Sequence, residues 1–301
     1  MTSAPIVNSR AIAWNRERLD ACLELTKPRL TMLAVLTTVV GFVMGATQPF
    51  QGWMLAATAV GAALVGGGAN ALNQWLERDA DALMRRTQCR PLPTGRLRPS
   101  QALLFGLTLS LAGVLLLHRC VNALAAQLAL LTLISYVGMY TPLKRKTALC
   151  TLVGAVPGAL PPMIGWAAAR GTIEGEAWVL FALLFVWQLP HFLALAWAHR
   201  DDYARAGFQM LPVVEPDGAS TARQMVLYSA ALLPISLLPT MVNLAGPWYF
   251  LGAVVAGLWF SWVAIAAARH LSETLTQRLF LASVQYLPLV LLLMVLDKAR
   301  L

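Results

Sequence analysis

Apolar residues run along this chain in nine long, nearly unbroken stretches, at about 29–48, 54–74, 102–118, 122–141, 149–169, 177–198, 225–243, 247–268 and 279–296. Each is close to the roughly 20 residues that a helix needs to cross a hydrocarbon core. A membrane barrel would show shorter, alternating segments of about 10 residues. Lipid offers no water to satisfy open backbone groups, so the continuous stretches predict helices. The expected fold is all-α: a polytopic membrane protein built as a bundle of nine transmembrane helices. A cytoplasmic N-terminal segment at 1–28 precedes a single nine-helix domain at 29–301. Arg16, Glu17, Arg18, Asp20 and Glu24 interrupt the first segment, so no cleaved signal peptide is expected.

Composition agrees with that pattern. Hydrophobic residues make up 58% of the 301 positions and charged residues 12%, too apolar a balance for an ordinary soluble domain. Placing the N-terminus in the cytoplasm puts 19 of the 23 lysines and arginines on the inner side and leaves only Arg119, Arg170, Lys298 and Arg300 outside. The expected location is therefore the cytoplasmic (inner) membrane, with the C-terminus on the outer side. Topology and anionic lipid headgroups account for the net charge of +9, so the partner surface is the lipid bilayer and no nucleic acid is expected. The cysteines Cys22, Cys89, Cys120 and Cys150 form no paired motif and point to neither a zinc site nor a disulfide framework.

Polar residues, costly within a bilayer, gather on the inner side. The loops at 77–101 and 199–224 are each about 25 residues long, longer than connections without a task usually are. The active site is thus expected at the cytoplasmic face. The second span ends in Asn70-Ala-Leu-Asn73-Gln-Trp-Leu-Glu77-Arg-Asp79-Ala-Asp81. On a helix, Asn73, Glu77 and Asp81 step by four and share a face. A row of hard oxygen donors suits Mg²⁺, which takes few protein carboxylates and shares its shell with water and substrate phosphate. Asp79 lies about 240° round the helix from Asn73 and joins the row only where the helix bends or ends. Arg85, Arg86 and Arg90 follow, and guanidinium forks match phosphate oxygens. The same composition also suits a solvated positive-inside loop whose carboxylates merely pair with its arginines.

Two further clusters lie on the inner half. Lys144, Arg145 and Lys146 end the fourth span, as a second arm towards a phosphate or as a topological anchor. Within the sixth span stand Trp187-Gln188-Leu-Pro190-His191-Phe192, followed by His199, Asp201, Asp202 and Tyr203. Pro190 frees a backbone carbonyl and the His191 imidazole needs a partner, so His191 either serves a metal or heme or bonds that carbonyl as a core residue. Asp202 and Tyr203 either complete a diphosphate site or cap the span.

These residues carry a resemblance. Asn73 to Asp81, with Arg85-Arg86-Thr87 and Arg90-Pro91, is similar to the first aspartate-rich motif of the UbiA-type intramembrane prenyltransferases. Tyr140-Thr-Pro-Leu-Lys144-Arg145, Trp187-Gln-Leu-Pro-His191-Phe192 and Asp202-Tyr203 to Met210-Leu-Pro212 resemble the branch of that superfamily that farnesylates heme. The resemblance implies farnesyl diphosphate and heme b as substrates, Mg²⁺ as cofactor and respiratory oxidase assembly proteins as partners. It implies metal binding by Asn73, Glu77, Asp79 and Asp81, and a cationic clamp of Arg85, Arg86, Arg90, Lys144 and Arg145. Asp202 and Tyr203 match the second loop motif, and His191 would face heme. Position 77 holds Glu where the family pattern has Asp. The chain lacks the second DxxxD motif of relatives with aromatic acceptors, since Ala206 stands four residues after Asp202.

Three other readings are weighed against this one. A relative acting on an aromatic acceptor such as hydroxybenzoate should carry that missing aspartate pair. A transporter or flippase should carry charges at the midplane on broken helices, whereas here the polar groups stay at one face, with Pro190-His191 the main exception. A non-enzymatic heme carrier would need His191 but not the acidic row.

Overall fold

A computed structural model describes residues 9–47 and 51–299. The elements, in order, are α1 (Ser9–Leu25), α2 (Pro28–Gly45), α3 (Gly52–Asp81), α4 (Pro99–Cys120), α5 (Ala123–Leu133), a π-helical stretch (Ile134–Tyr140) and α6 (Thr141–Leu143). There follow α7 (Cys150–Arg170), α8 (Gly175–Ala198), α9 (Arg200–Arg205), α10 (Leu211–Val214), α11 (Ala219–Met241), α12 (Pro247–His270) and α13 (Glu273–Leu296). Among the described residues, nine helices are long and apolar enough to cross a membrane, α5 through α6 counting as one, and β pairing is confined to an isolated bridge between Ala245 and Lys298. The protein is a multi-pass membrane protein with the all-helical fold its pattern predicts.

The nine spans coincide with the nine apolar stretches, and the differences at their ends are informative. α3 does not stop where its apolar stretch stops at about residue 74. It runs straight on to Asp81, a length of roughly 45 Å at 1.5 Å per residue, well beyond a hydrocarbon core. Its last turns therefore carry Asn73, Glu77 and Asp81 to the end of the bundle. The fourth span is not uniform either. Pro142 has no N–H to give the preceding turn and its ring crowds that turn, and the helix widens into a π stretch just before it.

α7 and α8 form the interior, being far more enclosed than the outer spans α4, α5 and α11. α7 packs against α2, α5 and α8, while α8 packs against α11 and α13. Gly41 and Gly165 let α2 and α7 meet backbone to backbone, because a Cβ at either would collide with the main chain of Pro162 or Thr38. Small residues at such crossings are how membrane helices gain packing without a hydrophobic driving force. The outward faces are apolar: Leu104, Leu107, Leu111 and Leu115 on α4, and Trp248, Leu251, Val255 and Trp262 on α12, are exposed. That is the surface lipid would cover.

Successive spans run antiparallel, so the ends of α3, α6, α8 and α12 and the starts of α2, α4, α7, α11 and α13 meet at one end, hereafter the loop end. At the other end, the Lys298 ammonium donates to the Val43 and Ala46 carbonyls at 2.6 and 2.8 Å, satisfying the last turn of α2. Asp297 accepts from the Tyr249 amide at 2.8 Å at the start of α12. α1 lies at the loop end, where Ala21 and Leu25 are buried with Ala71, Leu97 and Ala102.

Candidate active site

The last three turns of α3 are the spine of the loop end. Asn73, Glu77 and Asp81 are all buried, at 1%, 6% and 1% exposure, which strongly penalises a charge without a partner. Each has one. Lys144, just beyond α6, sets its ammonium 2.8 Å from Glu77. The Arg90 guanidinium reaches both Asp81 oxygens from one nitrogen, at 2.8 and 2.7 Å. Asn73 accepts from the Lys27 ammonium at 3.2 Å and donates to the Thr141 hydroxyl at 3.1 Å. Three cationic heads thus face two carboxylates and one amide. That surplus of positive charge in a buried site suits a polyanion.

Lys27 enters from an unexpected direction. It lies between α1 and α2, at φ 47° and ψ 67°, the left-handed region that a lysine rarely adopts, directly before Pro28. Pro disfavours the ordinary helical conformation in the residue before it, and strain of this kind tends to collect at functional sites. Burial, then the Arg90 and Lys144 charges, push the Lys27 ammonium down to about 7, against the pull of Glu77 and Asp81. α3 also secures this corner. Asn70 donates to the Thr31 hydroxyl at 3.1 Å and Gln74 to the Leu25 carbonyl at 2.8 Å. Lys144 is placed from the other side by the Tyr140 ring, 4.6 Å from its ammonium, and by Phe208 at 5.6 Å. Burial opposes its charge, yet Tyr140, Glu77 and Tyr136 hold its pKa well above the usual lysine range.

The two long loops meet over this spine. The Asp202 carboxylate accepts from the Arg85 and Arg86 amides, each at 3.4 Å, and pairs with Arg205. Beneath this junction Met84, Phe208 and Met210 pack with Ala80, Cys150, Ala196 and Ala206, with Tyr203 against them. The expected set of residues changes in two ways. Asp79 does not join the row: α3 stays helical to its end, so Asp79 points away, 78% exposed and 3.6 Å from Arg78. The cations that reach the row are also fewer than expected, since Arg85, Arg86 and Arg145 are exposed at the rim while the partly buried Arg90 and Lys144 reach it.

A second polar group lies deeper, on α8. His191 is partly exposed and its Nδ1 is 2.7 Å from the Ser283 hydroxyl of α13. The Trp187 and Phe280 rings stack on the imidazole with centroids at 5.3 and 4.7 Å. Trp187 donates to the Ser283 carbonyl at 2.9 Å, which ties α8 to α13. The partner of His191 is therefore a serine on another span and not the carbonyl freed by Pro190.

Residues 34–287 match the model of the UbiA prenyltransferase family. The chain belongs to that family. A protoheme IX farnesyltransferase of Solibacter usitatus is 47% identical over 286 residues, 92% of this chain and 98% of the relative. One of Koribacter versatilis is 46% identical over 285 residues, 91% and 92% of the two chains. Among solved structures, a UbiA homologue of Archaeoglobus fulgidus bound to GPP and Mg²⁺ superposes with a TM-score of 0.65 at 17% identity, covering 91% of this chain and 99% of that one. A digeranylgeranylglyceryl phosphate synthase superposes with a TM-score of 0.79 at 15% identity, covering 95% and 100%. The fold is that of UbiA prenyltransferases.

In this UbiA-family chain the acidic row is local and was visible in the sequence. Lys27, Thr141 and Ser283 carry no comparable mark in the sequence. A lysine directly before the proline that opens a span, on the side of the acidic row, is the one signal that could have found Lys27. Nothing in the sequence pairs Ser283 with His191. Among the described residues no three carboxylate, histidine or cysteine side chains cluster closely enough to hold a metal alone. Two carboxylates and an amide oxygen are a short set of hard donors, and a set of that kind fits Mg²⁺ when phosphate oxygens complete the shell.

Proposed function

We propose that this prenyltransferase transfers the farnesyl group of farnesyl diphosphate to a vinyl group of heme b, with addition of water, in the membrane and with Mg²⁺. The observation that carries the reading is the buried Asn73–Glu77–Asp81 row faced by Lys27, Lys144 and Arg90. The heme acceptor is supported by the relatives of nearly full coverage. The C1–O bond of the farnesyl group breaks and diphosphate leaves with the electron pair. The vinyl π electrons form the new bond to C1, the adjacent carbon takes the oxygen of water, and the water's proton is released.

Asn73, Glu77 and Asp81 would hold Mg²⁺, which when bound neutralises charge on diphosphate. Lys27, Lys144 and Arg90 would exchange part of their contact with the row for diphosphate oxygens, stabilising the charge that builds as it departs. Burial matters because each such contact counts for more where water is excluded. Arg85, Arg86 and Arg145 at the rim would draw the anionic substrate in. Asp202 holds the two loops together, with Tyr203 packed beneath, and His191 would face the porphyrin. In this reading the loop end lies at the cytoplasmic face of the inner membrane, where the positive-inside bias puts it.

The test is mass analysis of hemes extracted after the purified protein is incubated in detergent with heme b, farnesyl diphosphate and Mg²⁺, beside a control without metal. A farnesylated, hydrated heme formed only with metal is the expected result. Unmodified heme under conditions that prenylate an aromatic acid would overturn the acceptor and leave the prenyltransferase reading in place.

A further inference from the structure

The hydrogen bonds around His191 decide which of its nitrogens is available. Ser283 has one hydroxyl proton, and its Oγ lies 2.6 Å from the Phe280 carbonyl oxygen, one turn back on α13. Two oxygens that close repel unless a proton lies between them, so the proton is committed to Phe280. The contact of Ser283 Oγ with His191 Nδ1, at 2.7 Å, must then be made by a proton on the histidine. A neutral imidazole protonated at Nδ1 carries its lone pair on Nε2. Among the described residues no hydrogen-bond partner meets Nε2, and the residue is partly exposed.

A histidine held only for packing would have both nitrogens satisfied, since an unpaired polar atom inside an apolar span is costly. Here one side is tied down with care and the other left open. The imidazole is stacked by Trp187 and Phe280, and the Trp187 bond to the Ser283 carbonyl keeps the two spans in register. A ring turned over would lose the Ser283 contact. This N–H to hydroxyl to carbonyl relay is the outer-shell pattern of metal-bound histidines, which donate their second nitrogen to a fixed acceptor.

We propose that Ser283 is a positioning residue that fixes His191 as the Nδ1–H tautomer, so that Nε2 ligates the iron of the heme substrate. The inference rests on the heme reading above and adds the ligand atom, its tautomer and the residue that sets it. Ligation through Nε2 would anchor the porphyrin to α8 and α13, leaving its vinyl edge to be turned towards the farnesyl site.

Two measurements on the full-length protein in detergent test this. Nitrogen-15 spectra of labelled histidine, without heme, should show His191 protonated at Nδ1, with that signature lost in Ser283→Ala and restored in Ser283→Thr. Titration with heme b, without farnesyl diphosphate, should give a histidine-ligated absorption and EPR spectrum. His191→Ala should lose that spectrum and regain it with added imidazole. Ser283→Ala should weaken heme binding about 10-fold, the lower end for loss of an outer-shell partner, with farnesyl diphosphate binding unchanged. A wild-type Nε2–H tautomer, or a heme spectrum that both variants share with wild type, overturns the proposal while the heme reading stands. No heme binding by the wild-type protein overturns both.

Discussion

The two polar regions of this bundle meet the cost of burial in opposite ways. At the loop end, charges are buried in quantity, and each carboxylate of the row has its own cation: Glu77 with Lys144, Asp81 with Arg90. Around His191 the groups are neutral, and a single serine proton directs the arrangement. Charge-rich burial is sensitive to removal of one partner, because the other is stranded in a medium that solvates it poorly. Neutral burial is sensitive to hydrogen-bond direction instead. The first design suits a site that must exchange one set of ionic contacts for another when a polyanion arrives. The second suits a site that must keep one nitrogen free.

The sharpest way to break this contrast is at Asp81. Asp81→Ala strands the Arg90 guanidinium and should cost about 3–5 kcal/mol of stability, the usual loss when one member of a buried pair is removed. Turnover should fall by about 100-fold or more, as for loss of a preorganised charge at a reacting group. Thermal unfolding in detergent and product formation measure the two effects. Adding Arg90→Met should recover most of the stability and none of the activity; recovery of activity would show that the pair is structural only.

Lys27 sharpens the comparison further, since its ammonium touches an amide and not a carboxylate. Lys27→Met should weaken farnesyl diphosphate binding about 10-fold, one charge-assisted hydrogen bond, with heme binding untouched. With its pKa lowered to about 7, Lys27 is charged below that pH and loses its charge as pH rises through it. Its contribution to anion binding is therefore present on the acid side and lost on the alkaline side. Lys27→Arg stays charged, so its diphosphate affinity should fall less than that of the wild type between about pH 6 and 8. Parallel pH profiles would remove Lys27 from the charge balance of the site.

The smallest effect is expected at Asp79. Asp79→Ala should change stability by no more than about 0.5 kcal/mol, as surface substitutions do, and leave the metal dependence of turnover as it was. A shifted metal requirement would return Asp79 to the row.

The features that were legible from the chain share one property. The apolar stretches become spans because lipid leaves the backbone no alternative to the helix. Asn73, Glu77 and Asp81 share a face because helical period alone puts them there, and the same period turns Asp79 away. Arg90 is nine residues beyond its partner Asp81, and the turns that follow α3 bring it back to the row. Arg85, Arg86 and Arg145 look equivalent to Arg90 and Lys144 in sequence, and only the course of the loops separates rim from interior.

Fold class, the order of the spans, the end at which charge collects and the acidic row are set by hydropathy and local period, which act within a few turns of chain. The tertiary structure alone decided that Lys27 reaches Asn73 across 46 residues and that Ser283 meets His191 across 92. Those contacts depend on how α2 lies on α3, where Asn70 bonds Thr31, and on how stacked aromatic rings seat α13 on α8. Packing of that kind leaves no periodic mark along the chain.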